Sequence, residues 1–183
     1  LRVAVLGSTN GTDLQPILDA SLRSADPPFE VAVVISNKKS APILTRAATA
    51  GVTNVFVSAK KEEYDARLIR VLEEHDVDVV LLIGFMRIVS PVLCARYRHR
   101  LLNVHPSLLP AFAGGMDLNV HEEVIKAKVS ETGCTVHHVT EEVDGGTIVV
   151  QRSCPVTASD TPTDLKHRVQ QLEGEALIHT LLL

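Results

Sequence analysis

With 183 residues, 45% apolar and only 3% aromatic, the chain is long enough for one domain with a full hydrophobic core and too short for two typical ones. Its net charge of -4 provides no basic surface for nucleic acid, and the scarce aromatics leave few stacking platforms for single strands. No apolar run approaches the ~20 residues that span a bilayer, which argues against a membrane protein. Polar and acidic residues directly after the first apolar run argue against a signal peptide. Cys94, Cys134 and Cys154 lie far apart with no CxxC pattern, which suits a reducing, cytoplasmic compartment. The first residue is Leu, so a free-standing chain and a segment of a longer polypeptide both stay open.

Val3-Ala4-Val5-Leu6 reads as a short buried strand. The loop Gly7-Ser8-Thr9-Asn10-Gly11 ends it, and helical spacing follows through Leu14, Ile17, Leu18 and Leu22. A second strand covers Val31 to Ile35, a helix Ala41 to Ala50, and a weaker third strand Val55 to Val57. Glu62 to His75 forms an amphipathic helix with Leu68, Ile69 and Leu72 on its apolar side. Val77 to Ile83 is a strong buried strand, and Ser90-Pro91 reads as an N-cap with proline at the first helical position. Leu101 to His105 is the fifth strand. A loop from Pro106 to Gly115 leads into a helix near Asn119 to Lys128. Strand-like segments follow at Cys134 to Val139 and Thr147 to Cys154, and Asp160-Thr161-Pro162-Thr163-Asp164 opens a C-terminal helix. This βα alternation predicts one α/β domain: a Rossmann-like, open, mostly parallel sheet with helices on both faces and mixed C-terminal strands.

Three segments, Asn103 with His105, Gly7 to Asp13 and Gly84-Phe85-Met86-Arg87, lie at the carboxyl ends of predicted strands and are expected to converge. Open α/β sheets bind ligands at those ends. Asn103 and His105 are two apart, so on an extended strand both side chains leave the same face. An amide donor for an oxyanion, an imidazole and a distant carboxylate, Asp144, are together the parts for acyl transfer without a protein nucleophile. The plainer alternatives are a buried structural His105 and an ordinary turn at Asp144-Gly145-Gly146. Gly7 to Asp13 has two readings as well, a phosphate cradle on helix N-terminal amides or a simple βα turn. It matches neither GxGxxG nor the Walker pattern. His137 and His138 alternate along a strand, His121 sits on a helix, and His75, His99, His167 and His179 read as surface residues. No HExxH or ligand-spaced cluster points to a metal. Ser107 lacks a nucleophile elbow and reads as a turn residue.

The motifs Gly11-x-x-Leu14-Gln15, Ile35-Ser36-Asn37-Lys38 and Gly84-Phe85-Met86-Arg87-Ile88 continue into Leu102-Asn103-Val104-His105-Pro106-Ser107-Leu108-Leu109-Pro110. Thr132-Gly133-Cys134-Thr135-Val136-His137 and Val143-Asp144-Gly145-Gly146 complete the set. Together they resemble the phosphoribosylglycinamide formyltransferases, folate-dependent enzymes of purine synthesis. The resemblance implies transfer of a formyl group from the co-substrate 10-formyltetrahydrofolate to glycinamide ribonucleotide, with no metal. His105 would be the general acid, Asn103 would bind the formyl oxygen, and Asp144 would keep the imidazole charged. Met86, Arg87, Ile88 and Val89, with Lys61 and the loop Thr140, Glu141, Glu142, Val143, Asp144, would hold the folate. Gly11, Thr12 and Asp13 would hold the substrate phosphate, with Gln170 nearby and Glu173 on the ribose hydroxyls.

By the same resemblance, residues 1–100 form a phosphate-binding half and 101–183 a catalytic and folate-binding half of a single domain. Partners would be small molecules, not nucleic acid or membrane, and monomer and homodimer both stay open. Thr9, Thr12 and Asp13 stand where the family usually has Gly, Ser and Asn. Gln170 stands at an often basic position, Lys61 where an Arg is common, and the loop Gly114 to Asn119 is slightly long. The rival readings are a formyltetrahydrofolate deformylase, a methionyl-tRNA formyltransferase and a non-catalytic folate- or nucleotide-binding module.

Overall fold

The computed structural model describes residues 1–59, 63–116 and 118–183. In chain order the elements are β1 (Arg2–Leu6), α1 (Leu14–Leu22), β2 (Glu30–Ser36), α2 (Pro42–Thr49), β3 (Asn54–Phe56), α3 (Tyr64–Glu74), β4 (Val79–Leu82), α4 (Pro91–Arg96), β5 (Leu101–His105), α5 (Leu118–Lys126), β6 (Glu131–His138), β7 (Ile148–Pro155) and α6 (Pro162–Leu182). The strands hydrogen-bond in the order β3-β2-β1-β4-β5-β6-β7, an open α/β sheet. Among the described residues no helix is long and apolar enough to cross a membrane. The chain divides into two compact units, Leu1–Leu102 and Asn103–Leu181.

In the first unit β1 pairs in parallel with both β2 and β4, and β2 with β3. Val3, Ala4, Val5 and Leu6 are fully buried, as expected for a strand flanked on both edges and covered on both faces. The order runs outward from β1 through β2 to β3, and then returns to β4 on the other side. Right-handed crossovers in opposite directions put α1 and α2 on one face and α3 on the other. The reversal makes the gap between the carboxyl ends of β1 and β4 a topological switch point, where open sheets leave a crevice. α4 starts as the sequence predicts, with Ser90 Oγ accepting from Leu93 N–H and Pro91 at the first helical position. β4 is shorter than its apolar run. Val77 N–H closes onto Leu72 O behind α3, and that residue finishes the helix instead of the ladder.

The second unit holds the end of β5, then α5, the antiparallel pair β6 and β7, and α6. The mixed pairing expected of the later strands is thus antiparallel between β6 and β7. β6 begins three residues ahead of its clear apolar alternation. Its Gly133 lies so close to β7 that a Cβ would collide with the Arg152 carbonyl. α6 opens on a capping box between Thr161 and Asp164, with Pro162 next. Asp160 receives both guanidinium arms of Arg168 at 2.8 Å and fixes the approach to that helix.

Candidate active site

In the first unit the loop after β1 is tied to the loop after β4. Ser8 N–H donates to Gly84 O, Met86 N–H donates to Ser8 Oγ, and that hydroxyl donates to Asn37 Oδ1 at 2.6 Å. One buried serine therefore joins the ends of β1, β2 and β4 at the switch point. Gly11 takes φ +62°, and a Cβ there would collide with the Ile43 side chain on α2, so glycine is required for both reasons. Thr12 is exposed. Asp13 is buried at the N-cap of α1, where its side chain makes no capping bond. Met86, Arg87 and Ile88 are exposed beyond β4, Ile88 at 80% of its surface, and Val89 is half-buried. The Arg87 guanidinium lies 4.4 Å from the ring centroid of Tyr64. Burial pushes the Tyr64 phenol up to about 12, with the positive Arg87 opposing. Lys61 lies outside the described residues.

The second unit assembles the Asn, His and Asp named from sequence. β5 ends with Asn103 half-buried and His105 buried. Asp144 comes from the turn after β6 at φ +53°, a left-handed conformation that Asp tolerates better than most residues. The next turn residue but one, Gly146, passes so near the end of β6 that any Cβ would strike the His138 carbonyl. The Asp144 carboxylate then stands 3.5 Å from His105 Nδ1 through Oδ2 and 3.5 Å from His137 Nε2 through Oδ1. Oδ2 also accepts from Gly114 N–H at 2.8 Å. Side-chain exposure is 4% for His105 and 9% for Asp144, so little water screens the pair.

Each imidazole has a second anchor. His105 Nε2 donates to Phe112 O at 3.0 Å, so both its nitrogens face oxygen atoms. His137 Nδ1 donates to His138 O at 3.0 Å, and its Nε2 lies 3.3 Å from Asn103 Nδ2. Among the described residues no other hydrogen bond takes up the second N–H of the Asn103 amide. An acid, an amide donor and a carboxylate that polarises the acid make a site for carbonyl chemistry with a developing oxyanion.

Sequence reasoning set His137 aside and did not reach two backbone groups, the Phe112 carbonyl and the Gly114 amide. The signal for His137 was available: one of two alternating histidines at a strand end must face inward. Ser107 is a buried turn residue, as expected, its hydroxyl donating to Ala111 O at 2.6 Å. Thr135 braces this loop by accepting from Leu109 N–H and donating to Ser107 O. Thr140, Glu141, Glu142 and Val143 form an exposed segment before Asp144. On α6 Gln170 is half-buried and Glu173 is buried, one turn apart on the same helix face.

A sequence profile described as formyl transferase matches residues 1–181. The phosphoribosylglycinamide formyltransferase of Escherichia coli is 41% identical over 177 residues, covering 94% of this chain and 82% of that protein. The human trifunctional purine biosynthetic protein adenosine-3 is 41% identical over 176 residues, and there the chain spans only 17% of the relative's length. The crystal structure of glycinamide ribonucleotide transformylase 1 from Symbiobacterium toebii superposes with a TM-score of 0.91 at 38% identity, over 99% of this chain and 85% of that one.

Proposed function

The chain belongs to the formyl transferase family, and from that membership we propose that it transfers the formyl group of 10-formyltetrahydrofolate to the amine of 5'-phosphoribosylglycinamide in purine biosynthesis. The observation that carries this reading is the buried Asp144 carboxylate between His105 and His137, with the Asn103 amide beside it. A module that only binds folate or nucleotide has no need of such a set.

The acceptor amine attacks the formyl carbon, a C–N bond forms, and the carbonyl electrons move onto oxygen. The spare Asn103 N–H and the protonated His105 stabilise that oxyanion. Asp144 holds the positive charge on the ring while its bond to Gly114 fixes the loop. The amine then loses a proton, the bond from the carbon to the folate nitrogen breaks, and that nitrogen takes up a proton. The products are formylated acceptor and tetrahydrofolate, with no change in oxidation state.

In the first unit, Met86, Ile88 and Val89 offer apolar surface to the folate and Arg87 offers a cation propped on Tyr64. In the second unit, Thr140, Glu141, Glu142 and Val143 belong to the segment proposed to cover the pterin. The amides of Gly11, Thr12 and Asp13 in the first unit are the donors proposed for the acceptor phosphate, and in the second unit Gln170 and Glu173 are the groups proposed, from the family resemblance, for ribose hydroxyls. Cytoplasmic placement rests on three buried cysteines not joined as disulfides.

The test is an assay of purified chain with both substrates against a control in which water is the sole acceptor. Formylated ribonucleotide should accumulate far faster than formyl-folate is hydrolysed. Equal rates with and without acceptor would instead identify a deformylase.

A further inference from the structure

We infer that Arg46 on α2 is a positioning residue for the phosphate of the acceptor, acting through the loop after β1; the inference rests on the phosphate-loop reading given above. Arg46 Nε donates to Asn10 O at 3.2 Å. One residue earlier, Ile43 N–H in the first turn of α2 donates to Thr9 O at 3.1 Å. Two consecutive carbonyls of the loop are thus drawn toward α2. In a trans peptide the C=O and the following N–H point in opposite directions. The amides of Asn10 and Gly11 therefore point away from α2, side by side, at a residue whose φ of +62° gives the curvature of an anion nest.

The carbonyls of Gly11 and Thr12 are engaged by Leu14 and Gln15 N–H in the first turn of α1. Among the described residues no hydrogen bond takes up the N–H groups of Asn10, Gly11 or Thr12, so the loop presents donors on one side and spends its acceptors on the other.

Arg46 is itself held. Its Nη1 donates to Gln15 Oε1 at 3.0 Å, and Gln15 Nε2 donates to Asp19 Oδ1 at 2.8 Å. Among the described residues no carboxylate forms an ion pair with Arg46, so its charge stays beside the loop. The guanidinium thus does two things at once: it orients the peptide that aims Gly11 N–H, and it adds a positive field at a site for a dianion.

The experiment compares glycinamide ribonucleotide with its dephosphorylated riboside as acceptors for the wild type, Arg46→Gln and Arg46→Lys. Arg46→Gln should raise the ribonucleotide KM about tenfold or more. The riboside kcat/KM and the formyl-folate KM should stay within about twofold, and Arg46→Lys should lose less. Gln15→Leu, which removes only the second anchor of Arg46, should weaken ribonucleotide binding in the same direction. This variant decides the matter if Arg46→Gln does not fold. An equal loss for both acceptors, or none for the ribonucleotide, overturns the role of Arg46. A wild-type enzyme indifferent to the phosphate overturns the phosphate-loop reading beneath it.

Discussion

Replacing Asp144 by Asn removes one charge and almost no volume, so it isolates the electrostatic part of the site. The amide oxygen can still accept from Gly114 N–H, the 2.8 Å bond that holds the turn. What disappears is an anion 3.5 Å from His105 Nδ1. At an effective dielectric constant of about 20, that separation corresponds to about 5 kcal/mol as an upper figure for a charged imidazole. If half of this is used as positive charge builds on the ring, kcat falls by about 10²-fold. The KM for both substrates should move little, because Asp144 acts on the charged state and not on ground-state binding. Single-turnover formyl transfer at saturating substrate measures the step, and a thermal melt checks that the fold is intact. A kcat within about threefold of wild type would show that the charge of Asp144 is not used.

Asn103→Ala and His105→Ala should each lower kcat by about 10²–10³-fold while melting normally, since both side chains sit at the end of a strand whose core residues are Leu101 and Leu102; near wild-type turnover in either removes the proposed oxyanion site. Asp13→Asn should lower the acceptor KM several-fold by taking a carboxylate away from the proposed phosphate position, and an unchanged KM would mean that the carboxylate faces elsewhere. Asp160 is held well below the usual carboxylate range, first by the hydrogen bonds from Arg168 and then by Thr157 N–H. A carboxylate depressed in the folded state stabilises fully above its unfolded value of about 3.9 and loses that contribution as pH falls toward the folded value. Asp160→Asn should therefore lower the melting temperature near neutral pH, with the gap narrowing below about pH 4; a gap that stays constant into acid removes the linkage. Gly146→Ala should destabilise by more than about 2 kcal/mol in denaturant, because the Cβ meets the His138 carbonyl and not a side chain that could turn aside. Wild-type stability in that variant would mean that the turn can shift.

β1, β2 and β4 were legible because each is largely buried and appears as an unbroken apolar run, whereas the short β3, exposed at both ends, gave the weaker signal. β5 was found from Leu101 to His105, its full extent. β6 was read late because Glu131-Thr132-Gly133 carries no alternation. Gly133 belongs to the strand through its close approach to Arg152, a contact that only the partner strand reveals. Asn103 and His105 could be placed on one face by their spacing alone, and Asp144 only through its resemblance to a known motif. His137 was passed over because a strand histidine has a bland explanation, burial among its neighbours. Its part depends on a register shift between Val136 and His137, which no spacing rule predicts. The Phe112 carbonyl and Gly114 amide were invisible for a simpler reason: every residue carries such groups, and only the folded loop aims them.

Those two backbone groups explain how a site on loops keeps its geometry. Phe112 and Asp144 both take positive φ, +57° and +53°, a conformation that costs about 1 kcal/mol or more for a residue with a side chain. Each is tied to the other segment: Phe112 O receives His105, His105 faces Asp144, and Asp144 receives Gly114, two residues beyond Phe112. The loop after β5 and the turn after β6 therefore close a ring through the imidazole, while Thr135 binds the near end of the first loop to β6. His105 cannot tilt without breaking one of its two oxygen contacts, and Asp144 cannot turn without freeing Gly114. Strain in two residues is thus converted into a fixed direction for one proton. Acyl transfer requires that direction, and a rigid parallel sheet by itself does not supply it.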